Sequence, residues 1–136
     1  MRIIGVDFGE ARIGVAVSDL LGITAQGLDT LKEKNMERVV AHLCKLAQEL
    51  VAEEFVVGLP KNMNGTIGER GRRTQEFANL LEKKSGLSVK LWDERLTSVS
   101  AHNVLSEGNV RGKKRAAAVD KIAAVLILQN YMDSRR

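Results

Sequence analysis

Two stretches at the start of the chain restrict its fold more than anything that follows. Residues 2–8, RIIGVDF, and 13–19, IGVAVSD, are short, apolar and rich in β-branched residues, with only Gly9-Glu10-Ala11-Arg12 between them. Two such runs joined by a short glycine-containing connection read as an antiparallel hairpin. A weaker third strand is expected within Ile23–Leu31. The period then changes. Met36, Val39, Val40, Leu43, Ala47, Leu50 and Val51 recur at helical spacing, which predicts an amphipathic helix over 35–52.

Alternation continues from there. Phe55–Gly58 is a short apolar strand, and it ends at Leu59-Pro60 because proline cannot continue a sheet interior. Residues 61–68 read as a loop and 69–84 as a helix, with Gly86 suited to its C-terminal cap. Ser88–Trp92 is the last strand. Thr97 is placed to cap a helix running to Ser106, 107–115 form a basic loop, and 116–133 form a final long helix. A hairpin followed by βα alternation implies an α/β fold, a five-stranded mixed sheet flanked by helices. The 136 residues suit one core, and without internal repeat or linker the expectation is a single domain spanning 1–136.

Composition excludes several classes. Cys44 is the only cysteine, so neither an internal disulfide nor a cysteine-cluster metal site is available; its place beside Val40 and Ala47 suggests a buried core thiol. The longest unbroken apolar run, Ile122–Leu128, has seven residues against the roughly 20 a bilayer span requires. Asp7, Glu10, Arg12 and Asp19 argue against an N-terminal secretory signal. A soluble, cytoplasmic protein with no membrane partner is expected.

The net charge of +4 is unevenly spread. Residues 1–60 carry six Lys/Arg against nine Asp/Glu, and residues 61–136 carry fifteen against eight. The excess concentrates in Lys61–Arg73 and in Gly108–Lys121, which suggests a polyanionic partner.

Acidic side chains stand where strands end. Asp7 follows Ile3-Ile4-Gly5-Val6, and Asp93-Glu94 follow Val89–Trp92. In open α/β sheets ligands bind at the carboxyl ends of strands, so these acids can share a cleft. On a helix, Asp120 has Ala123, Ala124 and Ile127 at i+3, i+4 and i+7, which puts it on the face that packs against the sheet. Clustered carboxylates repel, by about 4 kcal/mol for a pair 4 Å apart at an effective dielectric of 20. Oxygen donors without cysteine suit a hard cation, Mg²⁺ or Mn²⁺, rather than zinc. His42 lies on a charged helix flank and His102 at a solvent-facing position, and neither alters this expectation. A carboxylate–metal site bordered by basic loops is the arrangement that phosphodiester cleavage requires. Asp93 and Glu94 point to opposite faces of an extended strand, and their local sequence does not choose between them.

Four blocks, DFGEARIGVAVSD at Asp7–Asp19, VGLPKNMNGTIGER at Val57–Arg70, DERLTS at Asp93–Ser98 and VDKIAAVLILQ at Val119–Gln129, together resemble the YqgF-type family. That family is described as pre-16S rRNA nucleases and Holliday-junction-resolvase-like proteins. The resemblance covers essentially the whole chain; Asn64 departs from the Asp that relatives often carry there. It implies an RNase H-like fold with Asp7, Glu94 and Asp120 as catalytic acids, and so favours Glu94 over Asp93. By the same analogy Asp7 is a ligand shared between two metal ions, Glu94 and Asp120 complete the coordination, and water is the nucleophile. Arg12, Lys61, Arg70, Arg73, Arg95, Lys113 and Lys114 are the candidates to hold phosphates, and Thr97 or Ser98 caps a helix.

The implied partner is structured RNA, namely pre-16S rRNA, or branched DNA. Resolving a junction takes two coordinated cuts and hence a symmetric dimer; no dimer seam is visible, so a monomer acting on RNA is the expectation. Two other classes compete. The DxG pattern of Asp7–Gly14 resembles the phosphate-binding hairpin of actin-like ATPases, which need a second domain of this kind. A non-catalytic nucleic-acid-binding module would use the basic face alone, although the acid trio would then repel phosphate.

Overall fold

The computed structural model describes residues 2–94 and 112–135, with side chains in the second segment described from Val119 onward. The opening hairpin forms as the sequence predicts. β1 (Arg2–Phe8) and β2 (Arg12–Ser18) pair antiparallel, with Asp7 opposite Gly14 and Phe8 opposite Ile13.

The segment expected as one third strand is two. β3 (Ala25–Gly27) pairs with residues 16–18 of β2, and β4 (Leu31–Lys32) pairs with residues 12–13. Between them the Leu28 N–H reaches β2, donating to the Val15 carbonyl at 2.8 Å. The sheet therefore has six strands rather than five.

α1 (Met36–Leu50) follows, capped by the Asn35 side chain, which accepts from the Arg38 N–H. It ends at Val51 in the left-handed region, φ 53°. β5 (Ala52–Leu59) and β6 (Ser88–Asp93) extend the sheet in parallel from β1, on the side away from β2. Between them lies α2 (Glu69–Ser85), closed by Gly86 at φ 72° as expected. The described chain finishes in α3 (Gly112–Ser134). This helix begins four residues earlier than the sequence suggests, so the backbone of Lys113, Lys114 and Arg115 belongs to its first turn and not to a loop. The helix expected over 97–106 lies outside the described residues.

Strand alternation divides the core into two layers. Ile4, Val6, Phe8, Ile13, Val15, Phe55 and Val57 face α1 and α2. Ile3, Ala16 and Val56 face α3, which buries Ala124, Ile127, Leu128, Tyr131 and Met132 against them. Cys44 is half-buried at the rim of the first layer, short of the full burial expected, and His42 is exposed.

Candidate active site

The α3 face of the sheet can receive a helix at short range because glycines of β1, β2, β3 and β5 lie beneath it, and two of them sit at the acids. A Cβ on Gly14 would run into the Asp120 backbone carbonyl. A Cβ on Gly58 would meet the Glu94 carboxylate and come within 2.5 Å of Ile127 Cδ1. Gly14 is the cross-strand partner of Asp7, and Gly58 lies in register with Trp92, one residue past the Val6–Val57 pair. Asp7 is thus flanked by positions without side chains, and the space above them is taken by Glu94 and by Asp120. Sequence reasoning did not single out these glycines. The available signal was glycine inside an apolar strand, which weakens the strand unless something approaches closely.

The three acids arrive from separate elements. Asp7 is the penultimate residue of β1 and shares a face with Ile3. Glu94 directly follows β6, and its N–H donates to the Leu59 carbonyl at 3.3 Å, tying it to the end of β5. Its side chain is only 8% exposed and lies on the same face as Trp92. Asp93 faces the other way, 4.0 Å from Lys61 Nζ. The two adjacent carboxylates therefore have different surroundings, one over the glycine row and one at a half-exposed ion pair.

Burial, then the charges of Glu94 and Asp120, hold the Asp7 carboxyl well above the usual carboxylate range. Burial also raises Glu94, while its hydrogen bond with Asp7 and the charge of Arg70 act to lower it. The contact between the two carboxyls acts in opposite senses, raising Asp7 and lowering Glu94. Burial raises Asp120 too, against the opposing pull of Arg12. Arg12 Nε stands 3.2 Å from Asp120 Oδ2, but out of line for a hydrogen bond. Glu94 Oε2 and Asp120 Oδ2 are both buried and accept no hydrogen bond.

Two buried carboxylate oxygens that accept no hydrogen bond, beside a third buried carboxyl, are the kind of donor set a hard cation takes. Among the described residues, no three acidic, His or Cys side chains are gathered closely enough to ligate one ion as they stand. Asp7 touches Glu94 and Asp120 stands beside Arg12, so a metal would have to displace both contacts.

Basic side chains border this centre. Arg70, in the first turn of α2, acts on both Asp7 and Glu94. Arg73 lies over the Phe8 ring, 5.8 Å from its centroid, and the two arginines line a cleft of about 220 Å³ together with Glu10 and Glu69, Phe8, Gly9 and Thr74. Lys61 is held near Asp93 and Arg12 near Asp120. Arg95, Thr97, Ser98 and His102, and the side chains of Lys113 and Lys114, lie outside the described residues. Among the described residues no helix is long and apolar enough to cross a membrane.

A family model described as "RuvX: Holliday junction resolvase" matches residues 1–134. A protein of Clostridium novyi (strain NT) named "Putative pre-16S rRNA nuclease" is 48% identical over 134 residues, covering 98% of this chain and 99% of its own. Among solved structures, Thermus thermophilus RuvC in complex with Holliday junction substrate superposes with a TM-score of 0.63 at 14% identity, covering 99% of this chain and 95% of that one. The Fowlpox virus resolvase, in complex with substrate Holliday junction DNA, gives 0.60 at 13% identity and covers 99% of each chain. Identities this low speak for the fold alone, and the fold is RNase H-like.

Proposed function

The chain belongs to the RuvX family and is a nuclease, and we propose that it is a metal-dependent endonuclease that trims precursor 16S rRNA in the cytoplasm, acting as a monomer. What supports the reading is that Glu94 and Asp120, far apart in sequence, both bear on the buried Asp7 carboxyl near the C-terminal end of the central strand. The 48% identity to a protein named for that reaction supports the substrate.

In this reading Asp7, Glu94 and Asp120 hold Mg²⁺ or Mn²⁺. A divalent ion bound there supplies Lewis-acid stabilisation of the phosphate and lowers the pKa of a bound water. The protein's own residues do the rest. Asp7 and Glu94 would hold the ion through their carboxylate oxygens, the ion's charge offsetting the repulsion between them. Gly14 and Gly58 let Asp120 and Glu94 approach Asp7 without displacing the strands. Arg70 offsets part of the negative charge, so the unloaded site remains folded. Arg12, Lys61, Arg70 and Arg73 grip phosphates flanking the cut, and Arg95, Lys113 and Lys114 are assigned the same work on sequence grounds.

The family's description favours a second reading, cleavage of four-way DNA junctions. One experiment separates the two. Labelled RNA spanning the 5′ end of 16S rRNA and a labelled four-way junction are incubated with the protein in Mg²⁺, in Mn²⁺ and in EDTA. RNA cleavage that needs metal and falls about 100-fold or more in Asp7→Asn is expected, since even supporting residues of metal sites are worth 10–100-fold. Junction cleavage alone makes the protein a resolvase. Salt-sensitive binding of both without cleavage of either makes it a binding module.

A further inference from the structure

A second basic surface meets the acid cluster from the side opposite α2. Antiparallel pairing sets Arg12 of β2 directly across from Lys32 of β4. Residues opposite one another share a face, and like charges in that position destabilise a sheet. The arrangement is nevertheless held firmly: Ile13 pairs with Leu31, and the Glu33 N–H donates to the Ala11 carbonyl at 3.0 Å. Lys34 joins Arg12 and Lys32 around a cleft of about 500 Å³. Glu33, the acid that lines it, forms no ion pair with either lysine. Glu33 Oε2 accepts instead from the backbone N–H groups of Lys34 and Asn35, at 3.0 and 3.1 Å. Both lysines are exposed, and among the described residues neither has an ion-pair partner. Arg12 connects the cleft to the acid centre, because the same side chain stands beside Asp120.

We propose that Arg12, Lys32 and Lys34 form a second phosphate-binding cleft, in which Lys32 and Lys34 each hold a backbone phosphate of the nucleic-acid substrate on the β4 side of the acid cluster. Arg70 and Arg73 come from α2, which packs on β5 and β6, so the two basic surfaces approach the acids from different sides. A strand laid across the acids is then gripped before and after the cut. Phosphate contacts of this kind position the backbone without reading bases.

The inference rests on the nuclease reading, and one titration distinguishes their failures. Binding of a labelled RNA hairpin and of a labelled four-way junction is followed by fluorescence anisotropy in EDTA, over a range of salt. The proteins are wild type, Lys32→Gln/Lys34→Gln and Lys45→Gln/Lys84→Gln, the last pair lying on α1 and α2 away from the acids. Each lost phosphate contact removes about 0.7 to 0.9 from the log–log salt slope. The Lys32/Lys34 variant should therefore lose about 1.4 to 1.8 in slope and bind about 25- to 60-fold more weakly at 0.1 M salt. Lys45→Gln/Lys84→Gln should match wild type, and Lys32→Arg/Lys34→Arg should restore the slope with an unchanged melting temperature. A Lys32/Lys34 variant with wild-type slope, or a control that loses as much, overturns the cleft and leaves the nuclease standing. Wild type that binds neither probe overturns both. A loss confined to one probe names the nucleic acid that uses the cleft.

Discussion

Replacing Asp7 by asparagine removes a titratable group from the place where the fold tolerates charge least. In the folded chain without metal, burial and the neighbouring charges of Glu94 and Asp120 keep the Asp7 carboxyl protonated to higher pH than in the unfolded chain. A raised folded pKa contributes stability that is fully present below the unfolded value, about pH 4, and is lost as pH rises through the folded value. Every tenfold gain in proton affinity on folding is worth about 1.4 kcal/mol. The scale of the charge contribution is set by two carboxylates about 4 Å apart, which repel by about 4 kcal/mol at an effective dielectric of 20, and burial acts in the same direction. Asparagine escapes this loss because its amide, like the protonated acid, still donates to Glu94. In EDTA at pH 8, Asp7→Asn should be more stable than wild type by about 1–3 kcal/mol, or roughly 4 °C in Tm per kcal/mol for a chain of this size. The gap should close toward pH 4. With Mg²⁺ or Mn²⁺ present the order should narrow or reverse, because ligand binding stabilises only the state that holds it. The assay is thermal melting by circular dichroism from pH 4 to 9, with and without metal. A variant that melts below wild type at pH 8 in EDTA, or a gap independent of pH, refutes the reasoning.

The other expectations concern neighbouring positions. Glu94→Gln should reduce cleavage about 100-fold or more, whereas Asp93→Asn removes only a half-exposed ion pair and should keep cleavage, with stability changed by less than about 1 kcal/mol; cleavage rates and melts of both variants decide this. Gly14→Ala should cost about 3 kcal/mol or more and impair cleavage, because the obstruction is the helix backbone at Asp120, while Gly58→Ala should cost about 1–3 kcal/mol and displace Glu94. Urea melts and cleavage assays test the pair. At the end of α1, Val51 is a β-branched residue at φ 53° and 78% exposed, so Val51→Gly should raise stability by about 1 kcal/mol in the same melts without altering cleavage.

Much of the architecture was readable because hydrophobic period and turn chemistry are local. The hairpin, α1, α2 with its Gly86 cap and the strands β5 and β6 all follow from spacing within a dozen residues. The broken third strand was not readable, since Leu28–Thr30 carry no breaker and the interruption is set by which β2 groups remain to be paired. At the site, the position of Asp120 toward the sheet followed from its alanine neighbours. The choice between Asp93 and Glu94 did not, because it depends on which face of β6 the last helix covers. The same holds for the Arg12–Asp120 contact and for Arg12 opposite Lys32, which join residues through folded register alone. Glycines at 14 and 58 were visible as letters, but their meaning lies in the helix that passes over them.

Chain order imposes a schedule on this centre. Every strand of the sheet has been synthesised before α3 emerges, so Ile3, Ala16 and Val56 stay bare until the last helix docks. Asp120 travels on that helix. A nascent or truncated chain ending near Glu94 therefore has an adhesive, uncovered sheet and only two of the three acids, and it gains protection and its full complement of carboxylates in the same docking event.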